Sequence, residues 1–80
     1  MQRIYLIYGI TDCPSCLMAQ AVLMQAEIEY VFIEMDFAKD YREMIRQKFD
    51  WTTYPIIVIL INGEEKIIGG YKELLCHLAS

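Results

Sequence analysis

From Arg3 to Tyr8 the chain is a nearly unbroken block of β-branched, aromatic and aliphatic residues that stops at Gly9. A block of that length without alternation fits a short buried strand. Past Cys13 the period changes. Pro14 suits a first helical position, where its missing N–H is no loss, and Leu17, Ala21, Met24 and Ile28 recur at helical spacing, which predicts an apolar stripe on a first helix. Tyr30 to Glu34 reads as a second strand. After Asp36, "FAKDYREMIRQKF" predicts a more polar helix with Phe37, Tyr41, Met44, Ile45 and Phe49 on its apolar side and charges facing water. "PIIVILI" reads as a strand buried on both faces, because it is too short to cross a membrane. Asn62-Gly63 is a tight-hairpin signal, and "EEKII" supplies the antiparallel return strand. Gly69-Gly70 ends that strand, and "YKELLCHLA" predicts a closing helix with Leu74, Leu75 and Leu78 inward.

The expected order is therefore β-α-β-α-β-β-α: an α/β fold with a four-stranded mixed sheet and three helices, its first strand–helix–strand unit parallel and right-handed. No repeat, linker or low-complexity tract interrupts it, so residues 1–80 are expected to form a single domain.

Composition narrows the partners. With 80 residues the chain can bury only a small core, and a hydrophobic content of 56% meets that need. Eleven acidic against seven basic residues leave a net charge of -4, which gives no handle on a polyphosphate backbone; nucleic acid is excluded as the expected partner. The apolar run at the start lacks the length and cleavage site of a secretory leader, so the expected location is cytoplasmic, with no membrane partner. In a reducing compartment three cysteines do not make a disulfide scaffold.

The chemistry concentrates in "TDCPSC". At a helix N-cap the Cys13 sulfur lies over unpaired N–H groups and the positive end of the helix dipole, both of which favour thiolate. Cys13 is the expected nucleophile. Cys16, one turn inside and less exposed, is the expected resolving thiol. Zinc is the competing use of the pair, but the remaining donors, Cys76 and His77, are helix neighbours that point in different directions. One such pair beside a strand–helix–strand pattern reads as thioredoxin-like dithiol exchange. Cys76 itself is expected to be a small buried hydrophobe, and His77 a surface or helix-end residue.

"CPSC" at 13 to 16, "TTYP" at 52 to 55 and "IGGYKEL" at 68 to 74, in this order over nearly the whole chain, resemble a small dithiol glutaredoxin of bacterial or phage type. The resemblance implies a cis-proline at Pro55 facing the cysteines. Thr53 and the backbone of Tyr54 would lie along the cysteinyl part of glutathione, and Gly69, Gly70, Tyr71 and Lys72 would receive its γ-glutamyl end. It also implies a thiol–disulfide oxidoreductase that uses glutathione as reductant, holds no metal, acts as a monomer, and serves disulfide-containing proteins such as ribonucleotide reductase.

Four positions depart from the family pattern. Ile10 stands where many members carry lysine, with Arg42, Arg46 and Lys48 as candidate replacements. Ser15 replaces the usual tyrosine, and Tyr54 replaces the usual valine and could restore the lost aromatic wall from the other side. Glu73 stands near the family's usual aspartate, with Lys72 reversing the sign beside it. Asp12, next to Cys13, should work against the helix terminus and leave the thiol less acidic than in lysine-bearing members, though still below the free-thiol value of about 8.5. Two alternatives stand beside the glutathione-dependent enzyme: a glutaredoxin-like donor fed by thioredoxin reductase, and a glutathione-ligated iron–sulfur cluster carrier.

Overall fold

In the computed structural model, which describes residues 3–36 and 39–79, the elements run in the expected order. They are β1 (Arg3–Gly9), α1 (Pro14–Gln25), β2 (Tyr30–Glu34), α2 (Lys39–Phe49), β3 (Ile56–Ile61), β4 (Glu64–Gly69) and α3 (Tyr71–Ala79). The strands form one sheet in the order β2-β1-β3-β4. β1 is parallel to β2 and antiparallel to β3, and β3 is antiparallel to β4. Asn62 and Gly63 join the last pair at φ 50 and 87, the two positive values that a two-residue type I′ turn requires.

The apolar block of β3 is explained by the two layers it separates. Ile57 and Ile59 join Tyr5 and Ile7 against Ala19 and Leu23 of α1 and Leu74 of α3. Ile56 and Val58 point the other way, with Tyr8, onto Met35, just past β2, and Ile45 of α2. With successive side chains on opposite faces, a strand between two layers has no polar side.

Three helix faces differ from expectation. On α1 the buried residues are Cys16, Ala19 and Leu23, whereas Leu17 is 66% and Met24 64% exposed and Ala21 is also at the surface. This helix is apolar on every side, so spacing alone does not single out the packed face; the sheet does. Ile28 packs on the core from beyond the end of the helix. On α2, Ile45 and Phe49 pack inward while Tyr41 and Met44 are exposed; Phe37 lies outside the described residues.

On α3, Leu74 is buried and Leu78 half-buried, one turn apart, so Leu75 falls outside. Cys76 is an exposed free thiol rather than a buried one, because two residues past Leu74 a helix faces away from the line that Leu74 and Leu78 define. His77 is exposed as expected, with Nε2 3.1 Å from the Tyr5 hydroxyl. Among the described residues no helix is long and apolar enough to cross a membrane.

Strand register gathers three loops at one end of the sheet. Tyr8 lies beside Ile56, so Pro55, the next residue out, continues beside Gly9. Gly69 lies beside Ile57. The chain leaving β1, the chain entering β3 and the chain leaving β4 therefore meet at the same edge.

Candidate active site

The chain leaves β1 at Gly9 because nothing larger fits there. A Cβ on Gly9 would stand 2.7 Å from the Phe32 ring and 2.9 Å from the Cys16 sulfur. Asp12 then turns the chain at φ 55, a region that Asp tolerates better than most residues. Thr11 fixes this loop from the side: its N–H donates to both Asp36 carboxylate oxygens at 3.2 and 3.1 Å, and its hydroxyl donates to one of them at 3.2 Å.

These hydrogen bonds are felt in the acidity of Asp36. Desolvation pushes its carboxyl up, but the hydrogen bonds from Glu34 and Thr11, with the nearby Arg42 charge, outweigh it and hold Asp36 below the usual range. Glu34 is raised, first by the hydrogen bond it shares with Asp36.

Cys13 caps α1 with extended backbone, φ -118 and ψ 99, and Pro14 opens the helix. The Cys13 sulfur accepts the Cys16 N–H at 3.3 Å. Capping of this kind satisfies one of the orphan donors of a helix start, and here the acceptor is a sulfur of the cysteine pair. A disulfide joins Cys13 and Cys16 across a Cα separation of 5.3 Å. The two sulfurs are unequal, since Cys13 is half-buried and Cys16 only 1% exposed.

Across the same edge, the Tyr54–Pro55 bond is cis and Pro55 is buried, while Thr53 is exposed. Tyr54 packs its ring against the α2 layer. The Arg46 guanidinium lies over that ring, 5.2 Å from its centroid. Of the three candidate cations, Arg46 is thus the one beside Tyr54; Lys48 pairs with Glu65 at 2.8 Å and Arg42 acts on Asp36. The Arg46 Nε, Trp51 Nε1 and Tyr54 hydroxyl are buried with no hydrogen-bond partner among the described residues.

Gly69 is confined by Trp51 and Glu73. It sits at φ +126, and a Cβ there would come within 2.7 Å of Glu73 Cγ and 3.1 Å of the Trp51 ring. Gly70 follows, its N–H donating to Glu73 Oε1 at 2.9 Å, so Glu73 caps the helix that it opens. Tyr71 is half-buried and Lys72 exposed on the first turn of α3.

Beside the sulfurs lies a cavity of about 330 Å³. Ile10, Leu17 and Phe32 form its apolar wall, both cysteines touch it, and among the described residues Asp12 is its only charged lining residue. A second hollow, of about 430 Å³, lies between β4 and α3 and touches neither cysteine. Among the described residues no group of three or more His, Cys, Asp or Glu side chains is placed to hold a metal ion.

Sequence reasoning did not single out Phe32 or Trp51, which shape this end through contacts distant in sequence, and it placed Leu17 on the packed stripe of α1 rather than beside the cysteines at the surface. The capping role of Glu73 did leave a trace, a capping residue followed three positions later by glutamate in "GYKE".

A dithiol pair of unequal exposure at a helix start, opposite a cis-proline on a mixed sheet, defines a thiol–disulfide oxidoreductase. The glutaredoxin family model matches residues 5–65, and the chain belongs to that family. Three solved structures share its thioredoxin-like fold. Glutaredoxin 1 from Francisella tularensis, complexed with cacodylate, matches at TM-score 0.70 and 24% identity over 98% of this chain and 94% of its own. A Brucella melitensis glutaredoxin matches at 0.71 and 23% identity, over 94% and 77%. Wheat glutaredoxin matches at 0.73 and 23%, over 94% and 68%. No curated protein sequence matches the chain.

Proposed function

We propose that the protein reduces protein disulfides and glutathione mixed disulfides at Cys13, with glutathione as the source of electrons. The observation that carries this reading is the meeting, at one sheet edge, of the Cys13 cap, the Tyr54–Pro55 segment and the first turn of α3.

The Cys13 thiolate attacks one sulfur of a client disulfide, breaking that S–S bond. A mixed disulfide forms, and the other client sulfur leaves as a thiolate that takes its proton from water. Cys16, its own proton lost to solvent, attacks the Cys13 sulfur and releases the second client thiolate. The client has gained two electrons and the protein holds the Cys13–Cys16 disulfide. One glutathione thiolate then opens it at Cys13, and a second attacks the bound glutathione sulfur, leaving oxidised glutathione and the dithiol. A glutathione mixed disulfide needs Cys13 alone.

For glutathione, Thr53 and the main chain of Tyr54 offer a strand-like edge. Because Glu73 takes the Gly70 N–H, the N–H groups of Tyr71 and Lys72, beyond Gly69 and Gly70, are left for the γ-glutamyl carboxylate. Arg46 supplies a cation in place of the lysine missing at Ile10. Ribonucleotide reductase is a candidate client by family.

The test is turnover of a disulfide substrate with glutathione and glutathione reductase, run beside thioredoxin reductase. Glutathione-driven turnover is the expected result. Turnover with thioredoxin reductase alone would replace the reading with a second one, favoured by the cation-free wall around Ile10.

A further inference from the structure

We propose that the cavity beside Cys16 seats a bulky apolar side chain that flanks the reactive cysteine of a protein client, with a basic residue of the client next to it. This rests on thiol exchange at Cys13 and not on which reductant recharges the site.

The cavity adjoins the redox centre, since Cys13 and Cys16 both line it. Consecutive Cα atoms are about 3.8 Å apart, so a chain linked to the Cys13 sulfur brings its neighbouring side chains to the mouth of the cavity. The wall is Ile10, Leu17 and Phe32, and Leu17 is 66% exposed; Met18, the next residue on α1, is also exposed. A helix that presents Leu and Met to water one turn from its nucleophile holds apolar area in reserve for a partner.

Charge selects the partner. Asp12 is the only charged lining residue among the described residues and is exposed. Glutathione brings two carboxylates and no bulky apolar group, so it fits this cavity poorly and the opposite groove better. A second copy of this chain, with net charge -4, would set Asp12 against an acidic surface. A polypeptide with leucine, phenylalanine or methionine beside its cysteine, followed by arginine or lysine, satisfies both wall and rim.

The test uses the full chain, reduced beforehand, in single-turnover mixing with peptide–thionitrobenzoate mixed disulfides, reading release of the yellow thiolate. The peptides flank cysteine on both sides with leucine or with serine, and carry arginine or glutamate at the next positions. Each rate is divided by the rate of the same peptide with dithiothreitol. Burial of one leucine predicts a preference of about tenfold or more for the leucine peptides. In Leu17→Ser, a change at an exposed position, that preference should fall to about twofold or less. In Asp12→Asn, which keeps a residue tolerant of the left-handed backbone, the arginine-over-glutamate preference should shrink by about twofold to fivefold.

Equal normalised rates in the wild type overturn the proposal, as does a leucine preference that survives Leu17→Ser. A glutathione–thionitrobenzoate substrate slowed more than the peptides by Leu17→Ser assigns the cavity to glutathione and also overturns it. No glutathione or reductase is needed to recharge the protein here, so failure of glutathione turnover leaves this result standing.

Discussion

Two helix starts face the same end of the sheet and are capped in different ways. At α1 the acceptor is the Cys13 sulfur, taking the Cys16 N–H at 3.3 Å; at α3 it is Glu73 Oε1, taking the Gly70 N–H at 2.9 Å. The first cap is a sulfur of the Cys13–Cys16 disulfide, so its charge can change when that bond opens. The second is a carboxylate that takes the N–H just ahead of the first residue of α3. One helix start therefore stabilises a charge made during the reaction, while the other is suited to a charge that arrives with a ligand.

Removing the reacting cap should have the largest effect. Cys13→Ser is expected to abolish disulfide exchange while holding stability within about 1 kcal/mol, because serine is itself a good N-cap. Turnover and urea unfolding of the same preparation separate the two roles; residual turnover would mean that another sulfur is the nucleophile. Cys16→Ser should lower protein-disulfide reduction by about tenfold or more and spare turnover of glutathionylated peptides.

Smaller changes test the surroundings of each cap. Gly9→Ala places a Cβ against Phe32 and the Cys16 sulfur and should cost roughly 1–3 kcal/mol in urea unfolding. An unchanged midpoint would show that the α1 side is looser than its distances imply. Glu73→Ala should cost about 0.5–2 kcal/mol, with Glu73→Gln recovering most of it, since an amide oxygen accepts the same N–H. Equal losses in the two variants would place the effect in charge rather than in capping.

The contrast between the two starts was half legible in the sequence. Cys13 followed by Pro14 marks a helix start locally, and Asn62-Gly63 fixes the hairpin that brings Gly69 and Gly70 back to the site. Local chemistry of this kind can be read from neighbours along the chain. The packed face of α1 could not be, because Leu17, Met18 and Met24 give it apolar residues on the water side as well. Cys76 was misread for a reason that was available: Leu74 and Leu78 already set the inward line. The stacking of Arg46 on Tyr54 and the packing of Trp51 against Gly69 depend on where α2 and its following loop settle, which no local spacing encodes.

The smallest expected effect concerns the tether that only the α1 start possesses, Thr11 to Asp36. Asp36 is held below its ordinary 3.8, so its contribution to stability is present above that value and is lost as pH falls through the lower folded value. Glu34 is raised from 4.5 by the hydrogen bond it shares with Asp36, so its contribution is complete below 4.5 and is lost as pH rises through the higher folded value. The two slopes have opposite signs and lie in separate windows, so the contribution of this pair to the wild-type urea midpoint should rise with pH below 3.8, level off, and fall above 4.5. Glu34→Gln keeps a donor to Asp36 that does not titrate, removing only the falling limb. Its midpoint, relative to wild type, should therefore gain with pH above 4.5, whereas Asp36→Asn should lose ground to wild type as pH rises through the Asp36 range. Parallel curves for wild type and both variants would mean that the shared proton does not hold the loop ahead of Cys13, and the two helix starts would then differ in their caps alone.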